Sequence, residues 1–165
     1  MDLNNPTQQI NTGPVEEYRP RFLQQTKLIQ ELTGSDEKDI IETAKKNYMA
    51  DWLLNYVSKF YNEAEQEILS PRKFRNLVIV RGVYSHFMKR KLSYSLPQIG
   101  RRLGNRDHTT ILGVIRKIEE KMAQDFEFKE TLDRLWENAE KDFEVYVKSE
   151  NKQINQVNPA DLQNE

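Results

Sequence analysis

No cysteine occurs among the 165 residues, which excludes a disulfide framework, a thiol nucleophile and a thiolate zinc site. Histidine is almost as scarce. His86 and His108 are the two present, too few and too far apart in sequence for a histidine metal site, so no metal is expected. Six glycines and six prolines are few for a turn-rich all-β fold. No apolar run approaches the roughly 20 residues that a membrane helix needs. The polar stretch from Met1 to Pro20 lacks the basic start and apolar centre of a secretory signal, so a cytoplasmic location is expected. There is no Ser/His/Asp spacing, no acid pair in a suitable setting and no G-x-x-x-x-G-K-[ST] phosphate loop. The expectation is therefore of no enzyme activity, no nucleotide and no other cofactor.

What is present is charge and helical spacing. Apolar residues make up 37% and charged residues 31%, a balance that suits a helical protein with polar ends better than a dense α/β enzyme. The formal net charge of −1 hides a strong segregation. Residues 1–71 carry net −5, residues 72–117 net +11 and residues 118–165 net −7. Twelve cations and the single acid Asp107 make up the middle block. Such a block either attracts a polyanion, because screening makes local charge decisive within about 8 to 10 Å, or forms a solvated basic surface.

The apolar periodicity predicts an all-α chain. Residues 1–20, rich in Asn, Gln, Pro and Thr, read as a disordered arm. Phe22, Leu23, Leu28, Ile29 and Leu32 suit a short helix stopping at Gly34, with Ser35 as a cap for the next. From Glu37 to about Leu69 there is no Gly or Pro, and Ile40, Ile41, Ala44, Tyr48, Trp52, Tyr56 and Phe60 step by threes and fours. A break inside this stretch is possible, but nothing marks its place. Pro71 ends the stretch. Phe74, Leu77, Val78, Val80, Tyr84, Phe87 and Met88 then predict a central buried helix, in which Gly82 marks a close helix contact. Ser95 is a good N-cap, with Pro97 near the second helical position. That short helix should end at Gly104-Asn105, two residues that tolerate left-handed backbone. Asp107 to Met122 forms the next helix. Phe128, Leu132, Leu135, Trp136, Ala139, Phe143 and Tyr146 make a long stripe over 126–148, followed by a polar tail, 149–165, read as disordered. The Trp52 and Trp136 stripes are core or helix-pairing faces, and Asp133, Glu137, Glu140 and Glu144 a solvated acidic face.

The most informative segment is SLPQIGRRLGNRDHTTILGVIRK, Ser95 to Lys117. Two short helices joined by a glycine-containing turn make a helix-turn-helix. In that motif the start of the second helix meets base edges in the major groove. Here those residues are Arg106, Asp107, His108, Thr109 and Thr110. Arg can donate two hydrogen bonds to guanine, Asp can accept from the cytosine amino group, and the Thr methyl can pack on a thymine methyl. Asp107 could alternatively serve only as a helix cap. Arg101, Arg102, Arg116 and Lys117 stand where they can neutralise flanking phosphates.

The run GRRLGNRDHTTILGVIRKIEE closely resembles the C-terminal DNA-binding domain of the bacterial replication initiator DnaA. The resemblance extends upstream to about Leu53 and fades near Leu135, about half of the chain. It implies an all-α, Trp-repressor-like helix-turn-helix domain, set at 53–125 between a helical extension, 21–52, and the long helix. It implies base contacts from Asp107, His108 and Thr109, with Arg106 and Thr110 nearby. It places Arg81, Lys89, Leu96, Pro97 and Lys117 against the DNA backbone. The family's minor-groove arginine aligns with Lys73, with Arg72 and Arg75 beside it. Two departures stand out: Asn105 replaces the second glycine of the turn, and Ile79-Val80 replaces an arginine-proline pair. The implied function is sequence-specific binding of double-stranded DNA at initiator-box-like sites, regulating replication initiation or transcription, in a stand-alone reader without an ATPase module. A different reading is an interaction protein whose acidic helices bind the host initiator or form a dimer.

Overall fold

The computed structural model describes residues 31, 34 and 37–154. The expected arm at 1–20, the short helix around Phe22 to Leu32, the cap at Ser35 and the end of the tail beyond Ile154 lie outside these residues. The described residues contain helices and no strand, as the all-α reading requires. The chain divides into two units, Met1–Tyr48 and Met49–Glu165. Helix α1, Glu37–Tyr61, contributes to both. In the first unit Ile40, Ala44 and Tyr48 are its buried residues.

The second unit holds the rest of α1 together with α2 (Glu65–Leu69), α3 (Arg75–Arg90), α4 (Leu96–Arg102), α5 (His108–Gln124) and α6 (Phe126–Ile154). The break that the sequence left unplaced falls at Asn62, whose φ of 54° is left-handed. The Asn62 amide bonds to the Lys59 carbonyl at 3.2 Å and the Glu63 amide to the Ser58 carbonyl at 3.0 Å. This is the Schellman closure, in which a left-handed residue lets the last carbonyls of a helix find donors. Asn serves here where Gly is usual, and so it left no mark in a search for Gly and Pro.

Helix α3 is the centre, buried at Leu77 and continuously from Val80 to Met88. Phe74, expected to begin its apolar stripe, instead sits at the N-cap with its side chain exposed. Gly82 does mark a close contact: a Cβ there would lie 2.6 Å from Ile118 Cγ1 and 3.2 Å from the Val114 carbonyl oxygen of α5. On the other side of that packing, Ile111, Ile115 and Ile118 of α5 are buried.

Helix α6 buries its apolar stripe inside the unit from Leu132 on, while Phe128 is half-buried. Leu132, Leu135, Trp136, Ala139, Phe143 and Tyr146 are all buried. Trp52 stacks on Tyr146 at 5.2 Å between ring centroids, and Phe87 meets Trp136 at 5.5 Å. The Tyr56 hydroxyl donates to Asp142 at 3.0 Å. The helix runs to Ile154, six residues past its expected end at Lys148. Nothing in the sequence stops it: there is no Gly or Pro between Phe126 and Ile154, the Ser149 hydroxyl bonds back to the Tyr146 carbonyl and Lys148 pairs with Glu144.

Candidate nucleic-acid interface

Helices α4 and α5 with the turn between them form the helix-turn-helix. The first helix starts at a full capping box. Ser95 Oγ accepts from the Gln98 amide at 3.4 Å, and Gln98 Oε1 accepts from the Ser95 amide at 2.8 Å. Leu96 and Pro97 occupy the first turn, where proline's missing N–H costs little. Pro97 is exposed and Leu96 half-buried. The helix ends as expected at Gly104 and Asn105, with φ of 78° and 58°. This hairpin returns the Arg106 amide to the Gly100 carbonyl at 2.8 Å. The turn also needs its glycines for space. A Cβ on Gly104 would lie 2.4 Å from the Leu69 carbonyl oxygen, and one on Gly100 would lie 2.1 Å from that of Arg106.

Asp107 caps α5. Its Oδ1 accepts from the Thr109 amide at 2.7 Å and from the Thr109 hydroxyl. Those two bonds hold the carboxyl below the usual carboxylate range, the side-chain bond contributing most. Capping does not bury it: the side chain is 60% exposed, and Oδ2 lies 3.5 Å from His108 Nδ1. Cap and base reader are therefore compatible roles for one carboxylate. One oxygen orders the helix and the other faces outward with an acceptor. His108, Thr109 and Thr110 are exposed beside it.

The fifth expected base reader departs from this picture. Arg106 turns inward, donating through Nη1 to the Leu103 carbonyl at 3.0 Å and through Nη2 to the Ser70 carbonyl at 2.5 Å. It fastens the turn to the loop before α3 rather than presenting a fork to a base. Two expected phosphate contacts turn inward as well. Arg81 is only 3% exposed. It donates to the carbonyls of Ile68 (2.6 Å), Arg72 (2.6 Å), Glu67 (2.9 Å) and Ser70 (2.8 Å). Burial, and then the neighbouring Arg106 cation, pull its pKa down, yet four carbonyl dipoles surround the charge. Arg102 pairs with Asp51 at 2.6 Å and lies 5.3 Å over the Tyr94 ring. A count of charges along a sequence carries no direction, and so it does not separate these three inward-facing arginines from the exposed cations.

The remaining cations do face outward. Lys73, Arg75, Lys89, Arg101, Arg116 and Lys117 are exposed, and none has an ion pair among the described residues. Arg72 is exposed and pairs with Glu67 at 3.0 Å. Arg90 is held by Glu119 at 2.7 Å, and Lys91 lies 5.8 Å over the Trp136 ring. The loop carrying Arg72, Lys73 and Arg75 is held from beneath, because its carbonyls are the acceptors of Arg81 and Arg106. Loop and turn thus share one clamp, and the exposed cations of the loop stand on the same rigid body as the start of α5. Among the described residues no group of three or more His, Asp and Glu could hold a metal ion, and no described helix is long and apolar enough to cross a membrane.

Phe74, expected in the buried stripe of α3, instead lies beside these cations. The residue is 59% exposed between Lys73 and Arg75. The available signal was a large aromatic at a helix start, where Ser, Thr, Asp or Asn is usual.

Comparison with known proteins matches residues 50–118 to the family described as bacterial dnaA protein helix-turn-helix. The match begins three residues before and ends seven residues before the expected domain limits. The chromosomal replication initiator protein DnaA of Roseobacter denitrificans is 33% identical over 105 residues, 64% of this chain and 23% of that protein. The DnaA of Brucella abortus is 42% identical over 79 residues, 48% of this chain and 16% of that protein. That of Cereibacter sphaeroides is 36% identical over 97 residues, 59% and 21% respectively. The chain spans less than a quarter of the length of these curated relatives.

Proposed function

We propose, for a chain whose residues 50–118 match the family described as bacterial dnaA protein helix-turn-helix, that it binds double-stranded DNA sequence-specifically. It reads initiator-box-like sites and so regulates replication initiation or transcription, at the nucleoid. The observation that carries this reading is the exposed start of α5. Asp107, His108, Thr109 and Thr110 project from a capped helix that the turn and clamp hold in place. In the proposed complex these side chains enter the major groove, the helix-turn-helix mode of docking. Lys73 and Arg75 approach the adjacent minor groove, while Lys89, Arg101, Arg116 and Lys117 neutralise phosphates. Arg81, Arg102 and Arg106 act as positioning residues for the loop and turn.

The reading is of a binding protein rather than an enzyme. A protein partner, such as a host initiator or a second copy, would meet carboxylates on α6. The apolar stripe of that helix is already covered within the chain from Leu132 to Tyr146, and Glu127, Glu130, Glu137, Glu140 and Glu144 are exposed.

Selection of binding sites from a random duplex pool tests the proposal. Enrichment of one asymmetric motif supports it. A pool that emerges unenriched contradicts it.

A further inference from the structure

Phe74 is the residue that neither the fold nor the DNA-binding reading explains. It stands at the N-cap of α3 and makes no capping bond, since its side chain has no acceptor. The residue is 59% exposed, so the core does not account for it either. The other exposed large apolar residues among the described ones, Phe60, Phe126 and Val145, all lie outside the positive block 72–117. Phe74 alone combines an exposed ring with cations on both sides, Lys73 and Arg75, each itself exposed.

The backbone beneath the ring is fixed. The Arg72 carbonyl, two residues before Phe74, accepts from Arg81 Nη1 at 2.6 Å, and the Ser70 carbonyl accepts from both Arg81 and Arg106. The Phe74 carbonyl accepts from the Val78 amide at 3.0 Å and so begins α3. A ring on a mobile loop could fold away. This one is held out from a clamped loop on the body that carries α5.

We propose that Phe74 is a wedge: when the domain is on DNA, the ring presses into the minor groove against one base step and partly unstacks it, while Lys73 and Arg75 hold the phosphates on either side. Minor-groove proteins use apolar side chains in this way, and the larger protein surface that a bent duplex wraps offsets the cost of unstacking. The charge around the ring favours a polyanion over an apolar protein groove. The inference rests on the DNA-binding reading and adds to it a residue, a contact type and a deformation of the DNA.

The test uses the full chain with a duplex selected for binding, carrying 2-aminopurine at successive positions across the flank that the loop would cover. The unsubstituted protein should raise 2-aminopurine fluorescence at one step. Phe74→Ser should abolish that rise and weaken binding about tenfold, a modest value for one lost base–aromatic contact. Serine is the better N-cap, so the variant should melt no lower than the parent, and unfolding cannot account for the loss. Phe74→Leu, which keeps an apolar wedge, should retain part of the signal. If Phe74→Ser binds the duplex as tightly as the parent with unchanged fluorescence, the wedge is wrong while the DNA-binding reading stands. If the unsubstituted protein binds no duplex, the DNA-binding reading itself fails and the wedge with it.

Discussion

Asp107 caps α5 and leaves its side chain exposed, so in the proposed complex one side chain would serve the helix and the DNA together. One carboxylate oxygen is tied to Thr109, and the other lies exposed beside His108. The two roles can be separated. Asp107→Asn keeps an acceptor for the Thr109 amide, so its thermal stability should match the parent. It loses the anionic acceptor, so discrimination between the selected duplex and a single-pair variant at the contacted position should fall by about tenfold or more. Asp107→Ala should lose both the cap and the discrimination. Melting curves beside competition binding read the two effects, and an Asn variant with unchanged discrimination would remove Asp107 from the base-reading set.

His86 makes a different residue-scale prediction. It is buried on α3, with Nδ1 3.4 Å from Glu119 Oε1. Burial pushes its pKa down, Glu119 opposes this, and Arg90 and Lys91 add to the depression. The folded protein therefore binds a proton less readily than the unfolded chain. The stability this group contributes is full above the unfolded value of about 6.5 and is lost as pH falls below it. The melting temperature should drop between pH 7.5 and pH 5.5, and His86→Gln should flatten that part of the profile.

At the scale of elements, the helix-turn-helix is held by local chemistry that a sequence displays and by a clamp that it does not. The Ser95 cap, the left-handed pair Gly104-Asn105 and the Asp107 cap are short-range signals, each legible from residue type alone. The clamp is not legible, because Arg81 and Arg106 reach carbonyls eleven and 36 residues away at Ser70. Asn62 and the length of α6 escaped for the opposite reason: a helix can end without Gly or Pro, and it can continue where polar composition suggests a tail. The clamp carries a prediction. Arg81→Met removes a buried cation, takes the side-chain donor from the Ile68 and Arg72 carbonyls and leaves Arg106 alone on the Ser70 carbonyl, which should cost about 3 kcal/mol in urea unfolding. Gly104→Ala should also destabilise, by at least ~1 kcal/mol, because it forces a left-handed alanine and drives its Cβ toward the Leu69 carbonyl. An Arg81→Met variant as stable as the parent would show that the clamp is dispensable.

For the whole molecule, the net charge of −1 is a poor guide, and the segregation beneath it a better one. The direction of each side chain sharpens it further. Of the twelve cations in the positive block, six are exposed with neither an ion pair nor a ring contact among the described residues: Lys73, Arg75, Lys89, Arg101, Arg116 and Lys117. If each neutralises one phosphate at about 0.9 released counterions, log K should fall against log salt with a slope of about −5 rather than the roughly −11 that all twelve would give. Lys117→Ala should weaken every duplex alike and flatten that slope by about 1. The acidic flanks belong to the same scale. In the proposed complex the exposed carboxylates of α6 would repel DNA approaching from that side and so favour docking through the α5 face.

The central claim is that the start of α5 reads sequence, and equilibrium competition tests it most directly. The full chain is bound to a labelled initiator-box duplex at physiological salt and displaced by unlabelled box or scrambled duplex. The account predicts that the box competes at least about 1,000-fold better than the scrambled duplex, the low end of specific recognition. Equal competition by the two duplexes would contradict it.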